Sequence, residues 1–100
     1  MTNLHVICQH KMNWIKLENG LFETGEWTVA GNTADELKHT RGRVFLHEKQ
    51  KEKAWHGGVV LDWRPSPKDS KRKIFTYRVD GPFRSICPGN WSREVAIVRE

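Results

Sequence analysis

The chain is poor in cysteine: two in 100 residues, Cys8 and Cys87, too few for a disulfide framework, so a reducing, cytoplasmic setting is the expectation. It has no run approaching the roughly twenty apolar residues that cross a bilayer, and no membrane partner is expected. The opening "MTNLHVICQHKMNW" lacks the basic start and long apolar stretch of a signal peptide. No internal repeat or low-complexity tract interrupts it, and its length is that of one domain, read as a single unit over residues 1–100. There is no H-E-x-x-H, no P-C-x-x-C, no Walker loop and no nucleophile elbow, so no motif points to an enzyme, a metal or a cofactor.

What is present is tryptophan and positive charge. Five tryptophans stand against one tyrosine, more indole than a small core readily buries. The net charge of +5 is uneven: from Arg41 to Lys73 ten Lys or Arg face four carboxylates, and the rest of the chain is slightly acidic. A strip carrying Arg41, Arg43, Lys49, Lys51, Lys53, Arg64, Lys71, Arg72 and Lys73 suits phosphates, whose neutralisation releases counterions. A solvated loop kept in solution by lysines would carry the same charge.

Alternation and turn chemistry predict strands over 4–10, 43–48, 57–63, 74–80 and 94–100. Residues 13–27 hold two turn signals, Asn19-Gly20 and Thr24-Gly25, and are expected to cross the surface or close one end of a barrel. "GNTADELKHT" (31–40) reads as a short helix with a Thr33/Glu36 capping box and a stop at Arg41-Gly42. The pair Gly57-Gly58 marks a bulge or a close backbone approach. The sum is an α+β domain with a curled, partly closed sheet of five or six strands and one or two short helices.

Chemistry in "LHEKQKEKAWHGGVVLDWR" (46–64) is constrained by spacing. His47 and Glu48 are neighbours in a strand and face opposite ways, and His56 and Asp62 lie too far apart to touch. His47 and His56 could meet across a hairpin, so a small histidine-dependent nuclease or hydrolase using them with Glu48 is one alternative. In a strand over 4–10, Val6, Cys8 and His10 share one face and His5 the other, which argues against a zinc site built from His5, Cys8, His10 and Cys87. Another alternative is a protein-binding inhibitor or adaptor whose surplus tryptophans form a hot spot.

The order "GEW-TVAGNTADEL", then "GRVFLHEKQKEKAWHGGVV", resembles the central segment of the YTH and EVE domains of the PUA-like superfamily, best over residues 25–63. The resemblance implies a barrel-like sheet whose pocket holds one nucleobase, often methylated, between aromatic side chains. By position it assigns Trp27 to the aromatic cage, Thr28 to a base contact and Asn32 to base reading, with Trp55, Trp63 and Trp91 as candidates for the second cage aromatic. The expected function is therefore non-enzymatic binding of DNA or RNA through a single base, plain or methylated, with the basic strip on the backbone and a larger effector protein or domain as an expected associate.

Overall fold

The computed structural model describes residues 2–89 and 91–99. Among them are one α-helix and eight strands: β1 (Thr2–Ile7), β2 (Trp14–Lys16), β3 (Leu21–Thr28), α1 (Gly31–His39), β4 (Arg43–His47), β5 (His56–Pro65), β6 (Arg72–Arg78), β7 (Trp91–Ser92) and β8 (Val95–Arg99). They form one mixed sheet in the order β2-β3-β6-β5-β4-β1-β8-β7, in which only β1 and β4 run parallel. The α+β class holds, but the strand number is eight rather than five or six. Outside the five predicted spans lie β3 and the short β2 and β7, the last two each paired along a single side.

The β2–β3 hairpin replaces the surface crossing expected at 13–27. Asn19 and Gly20 both adopt positive φ (59° and 75°), the backbone that a tight hairpin needs and that this dipeptide tolerates. Thr24-Gly25, by contrast, is no turn but lies inside β3. A side chain at Gly25 would run into Ile74 of β6, so the glycine serves close strand packing. Gly57 and Gly58 behave as expected: a Cβ on either would strike a neighbouring carbonyl, that of Val44 or of Arg78.

Helix α1 begins without the expected capping box. Ala30 is its N-cap and makes no side-chain cap bond, while the Glu36 carboxylate is drawn away by Arg99 (3.1 Å at each oxygen) and by the Thr2 hydroxyl. The predicted stop does occur. Arg41 turns to φ 57°, and the Gly42 N–H donates to the Leu37 carbonyl at 2.8 Å, closing the last turn.

The first strand ends at Ile7, three residues short of His10, because Gln9–Lys11 coil into a 3-10 turn with His10 at φ 56°. β6 begins two residues earlier than the expected 74, which brings Arg72 and Lys73 into the sheet. The last strand runs Val95–Arg99; the expected end at Glu100 lies outside the described residues.

The sheet buries side chains on both faces. Leu4, Val6, Val44, Leu46, Val60, Phe75 and Tyr77 meet Trp27, Val29, Ala34 and Leu37 in the main core. On the reverse face of β1, β4 and β8, a second layer gathers Cys87, Ala96, Val98 and Trp91 around His5, Phe45 and His47. A parallel pair covered on both sides is the usual fate of such strands. Among the described residues no helix is long and apolar enough to cross a membrane.

Candidate functional site

The two ends of the sheet face one another across a cavity of about 600 Å³. β3 and β6 contribute Glu26, Trp27, Thr28 and Arg72; the β7–β8 hairpin contributes Ser92, Arg93, Glu94, Val95 and Ile97. Strand alternation separates these groups by character. Trp27 is buried, and Val95 and Ile97 are half-buried beside the core, so the inner wall is apolar. Thr28, Arg72, Ser92, Arg93 and Glu94 are exposed and form a polar rim of both signs. Trp27 is oriented by its indole N–H, which donates to the Thr24 hydroxyl at 3.0 Å. Thr28 and Arg72 are cross-strand partners, so they reach the rim together.

Of the residues assigned by resemblance, Trp27 and Thr28 lie in this cavity and the other four do not. Asn32 is exposed in the first turn of α1, its side-chain oxygen accepting from the Thr33 N–H. The Trp55 indole donates to the Cys8 carbonyl at 3.1 Å and meets Trp14 edge-on. Trp63 is tied to Asp35 of α1 at 2.9 Å. Trp91 packs edge-on against His5 and His47 on the reverse face. No second tryptophan lines the cavity with Trp27; Val95 and Ile97 occupy that place, and nothing in their local sequence distinguishes them from ordinary strand residues.

The basic strip is partly neutralised. Arg43 grips Asp80 with two bonds (2.5 and 3.2 Å), and Arg64 pairs with Glu23 at 3.4 Å. Lys73 is buried: its ammonium donates to the Ser70 carbonyl at 2.8 Å and sits 5.7 Å from the Trp63 ring centre, which removes it from the phosphate-binding set. Arg72 stays at the cavity although its guanidinium donates to the Glu26 carbonyl and lies 3.9 Å from Asp69. Arg41, Lys49, Lys51, Lys53 and Lys71 are exposed. Gln50, between Lys49 and Lys51, donates to the Arg93 carbonyl at 3.0 Å, which sets the 49–53 turn beside the cavity rim.

The histidines are drawn apart. His47 Nδ1 lies 2.8 Å from the Glu52 carbonyl and must donate to it, leaving Nε2 to accept from His5 Nδ1 at 2.8 Å. Burial, with His47 alongside, lowers the His5 pKa to about 4; burial also lowers that of His47, so both rings are neutral. His56 pairs with Leu46 and therefore lies on the opposite face from His47. There its Nδ1 is 2.7 Å from the Tyr77 hydroxyl, which also accepts from the Trp14 indole at 2.7 Å. Glu48 accepts from the His10 backbone at 3.3 Å. The trio His47, His56 and Glu48 is thus not assembled. Among the described residues no three His, Cys, Asp or Glu side chains converge as metal ligands; Cys8 is buried, with its pKa pushed up to about 11 by that burial, and Cys87 is on the other face.

A smaller cavity of about 200 Å³ lies between Ile15, Gly25, Pro67 and Ile74, flanked by Glu23, Arg64 and Lys68. Comparison with family models, with curated proteins and with solved structures finds no match to this chain.

Proposed function

We propose that this domain binds nucleic acid by taking one base into the cavity between the two ends of its sheet, using a curled, PUA-like scaffold, and that it performs no catalysis itself. The observation that carries this reading is the convergence of Trp27, Thr28 and Arg72 with the apolar pair Val95 and Ile97 around about 600 Å³, a size ordinary for small-molecule sites. A base has two apolar faces and a polar edge. Stacking on an indole contributes roughly 1–3 kcal/mol, and the aliphatic side chains of β8 supply a second wall where a second tryptophan was expected. Thr28 and Ser92 offer hydroxyls to the base edge, and the exposed lysines of the 49–53 turn can follow the backbone. Such a module would address a larger effector to its nucleic acid.

The test is tryptophan fluorescence during titration with short DNA and RNA oligonucleotides, plain and methylated, at two salt concentrations. Val95→Phe grows into the cavity without emptying the core and serves as the blocking variant; Trp27→Ala removes the stacking face. Saturable quenching with a base preference, weakened at least tenfold in Val95→Phe, is expected. Equal binding by Val95→Phe excludes the cavity as the site, and salt-sensitive binding without base preference reduces the function to charge.

A protein-binding role is the second reading, favoured by the free edge of β2. Met12, Ile15 and Leu17 are exposed there, and Ile15 borders the smaller cavity. That reading requires a partner retained in excess oligonucleotide and released by Ile15→Lys.

A further inference from the structure

Arg93 belongs to none of the sequence signals, yet its placement is the most unusual on the cavity rim. It occupies the tight β7–β8 turn at φ 58°, a left-handed backbone that a residue with a Cβ adopts at a cost and that glycine or asparagine would take more easily. Its main chain is held from two sides, since the Arg93 carbonyl accepts from Gln50 and the next carbonyl, that of Glu94, accepts from the Ile7 N–H at 2.9 Å. Its guanidinium forms no ion pair among the described residues. The turn is therefore fixed while the charged end is available at the cavity. Across that cavity stands Arg72, on the other end of the sheet.

We infer that Arg72 and Arg93 form a two-sided clamp for the phosphate of a nucleotide whose base rests on Trp27. This rests on the base-binding reading above and adds the ligand class: a nucleotide with its phosphate, rather than a bare base or nucleoside. A planar guanidinium on each wall matches the several oxygens of one phosphate group. The volume favours it too, because a base alone leaves much of about 600 Å³ empty. Glu26 and Glu94 on the same rim balance the two arginines, so an anion without a base is held poorly. The Glu26 carboxylate is already engaged by the Ser66 hydroxyl, which leaves the arginines as the rim groups that a phosphate gains.

The experiment is calorimetric titration with ribo- and deoxyribonucleosides, including N6-methyladenosine and 5-methylcytidine, with their 3′- and 5′-monophosphates, and with inorganic phosphate. The wild type is expected to bind one monophosphate series at least tenfold more tightly than the matching nucleosides, and inorganic phosphate not measurably. Arg93→Gln should bring the nucleotide down to nucleoside affinity while nucleoside binding is unchanged, and Arg72→Gln should lower nucleotide affinity at least tenfold. Thermal unfolding of both variants confirms that the exposed substitutions leave the fold intact. Equal affinity of nucleoside and nucleotide in the wild type, or a phosphate preference that survives Arg93→Gln, overturns the clamp and leaves the base pocket standing. Inorganic phosphate binding as tightly as the nucleotide overturns it in favour of a plain anion site. Absence of binding by every nucleoside and nucleotide removes clamp and base pocket together.

Discussion

The two faces of the sheet carry similar side chains and put them to different use. On the reverse face His5 stacks on Phe45 at 4.7 Å between ring centres, bonds His47 and meets Trp91 edge-on. No buried side-chain nitrogen or oxygen among the described residues lacks a partner. On the inner face Trp27, Val95 and Ile97 border the cavity, and Arg93 beyond them forms no ion pair among the described residues. Aromatic and titratable residues are common to both regions. What separates them is whether neighbouring elements close over those residues, as Cys87 and Trp91 do against Ala96 and Val98 on the reverse face. The candidate site is a place where packing was left incomplete.

Removing the centre of the closed layer should have the largest effect. His47→Ala takes away two buried hydrogen bonds and opens a void, and is expected to lower stability by roughly 3–4 kcal/mol in urea unfolding. Acid attacks the same layer. A histidine whose folded-state pKa is depressed stays neutral while the unfolded chain takes up a proton. The stability from His5 is therefore whole above about pH 6.5 and is lost as pH falls toward about 4. The depressed His47 pKa acts in the same direction. A loss on the order of 2–3 kcal/mol between pH 7 and pH 4 is expected, and its reduction in a His5→Phe background would identify the His5 share. Adjacent residues of β8 provide the finest comparison, since Val98 packs into the closed layer and Ile97 lines the cavity. Val98→Ala should lower stability by about 2 kcal/mol, and Ile97→Ala, although it deletes more carbon, by about 1. The reverse order, read from paired denaturation curves, would show that the cavity wall is as tightly packed as the reverse face.

Much of the fold was legible because it depends on local rules. Alternation located β4 and the centre of β5, Asn19-Gly20 marked a turn though not the hairpin around it, and Gly42 ended α1 where a helix of that length must stop. Of the residues lining the candidate cavity, only Trp27, Thr28 and Arg72 were named from the sequence, the first two by a local motif. Arg93, Val95 and Ile97 become neighbours of Trp27 through pairing across more than sixty residues of chain, and no spacing along the sequence reports that. Lys73 shows the converse: within "KDSKRK" it reads as one more solvated cation, and only the packing of β6 against Trp63 buries it. The capping box failed for a similar reason, since Arg99, distant in sequence, competes for Glu36.

The pairing of β1 with both β4 and β8 also sets the order of events as the chain folds. The β2–β3 hairpin closes over a few residues, whereas Thr2 must find Arg99 nearly a hundred positions away. Contacts of that separation are slow to form. Because the β7–β8 hairpin supplies one whole wall of the cavity, the proposed site depends on this longest-range pairing, and its two walls face one another only where the two ends of the chain have met.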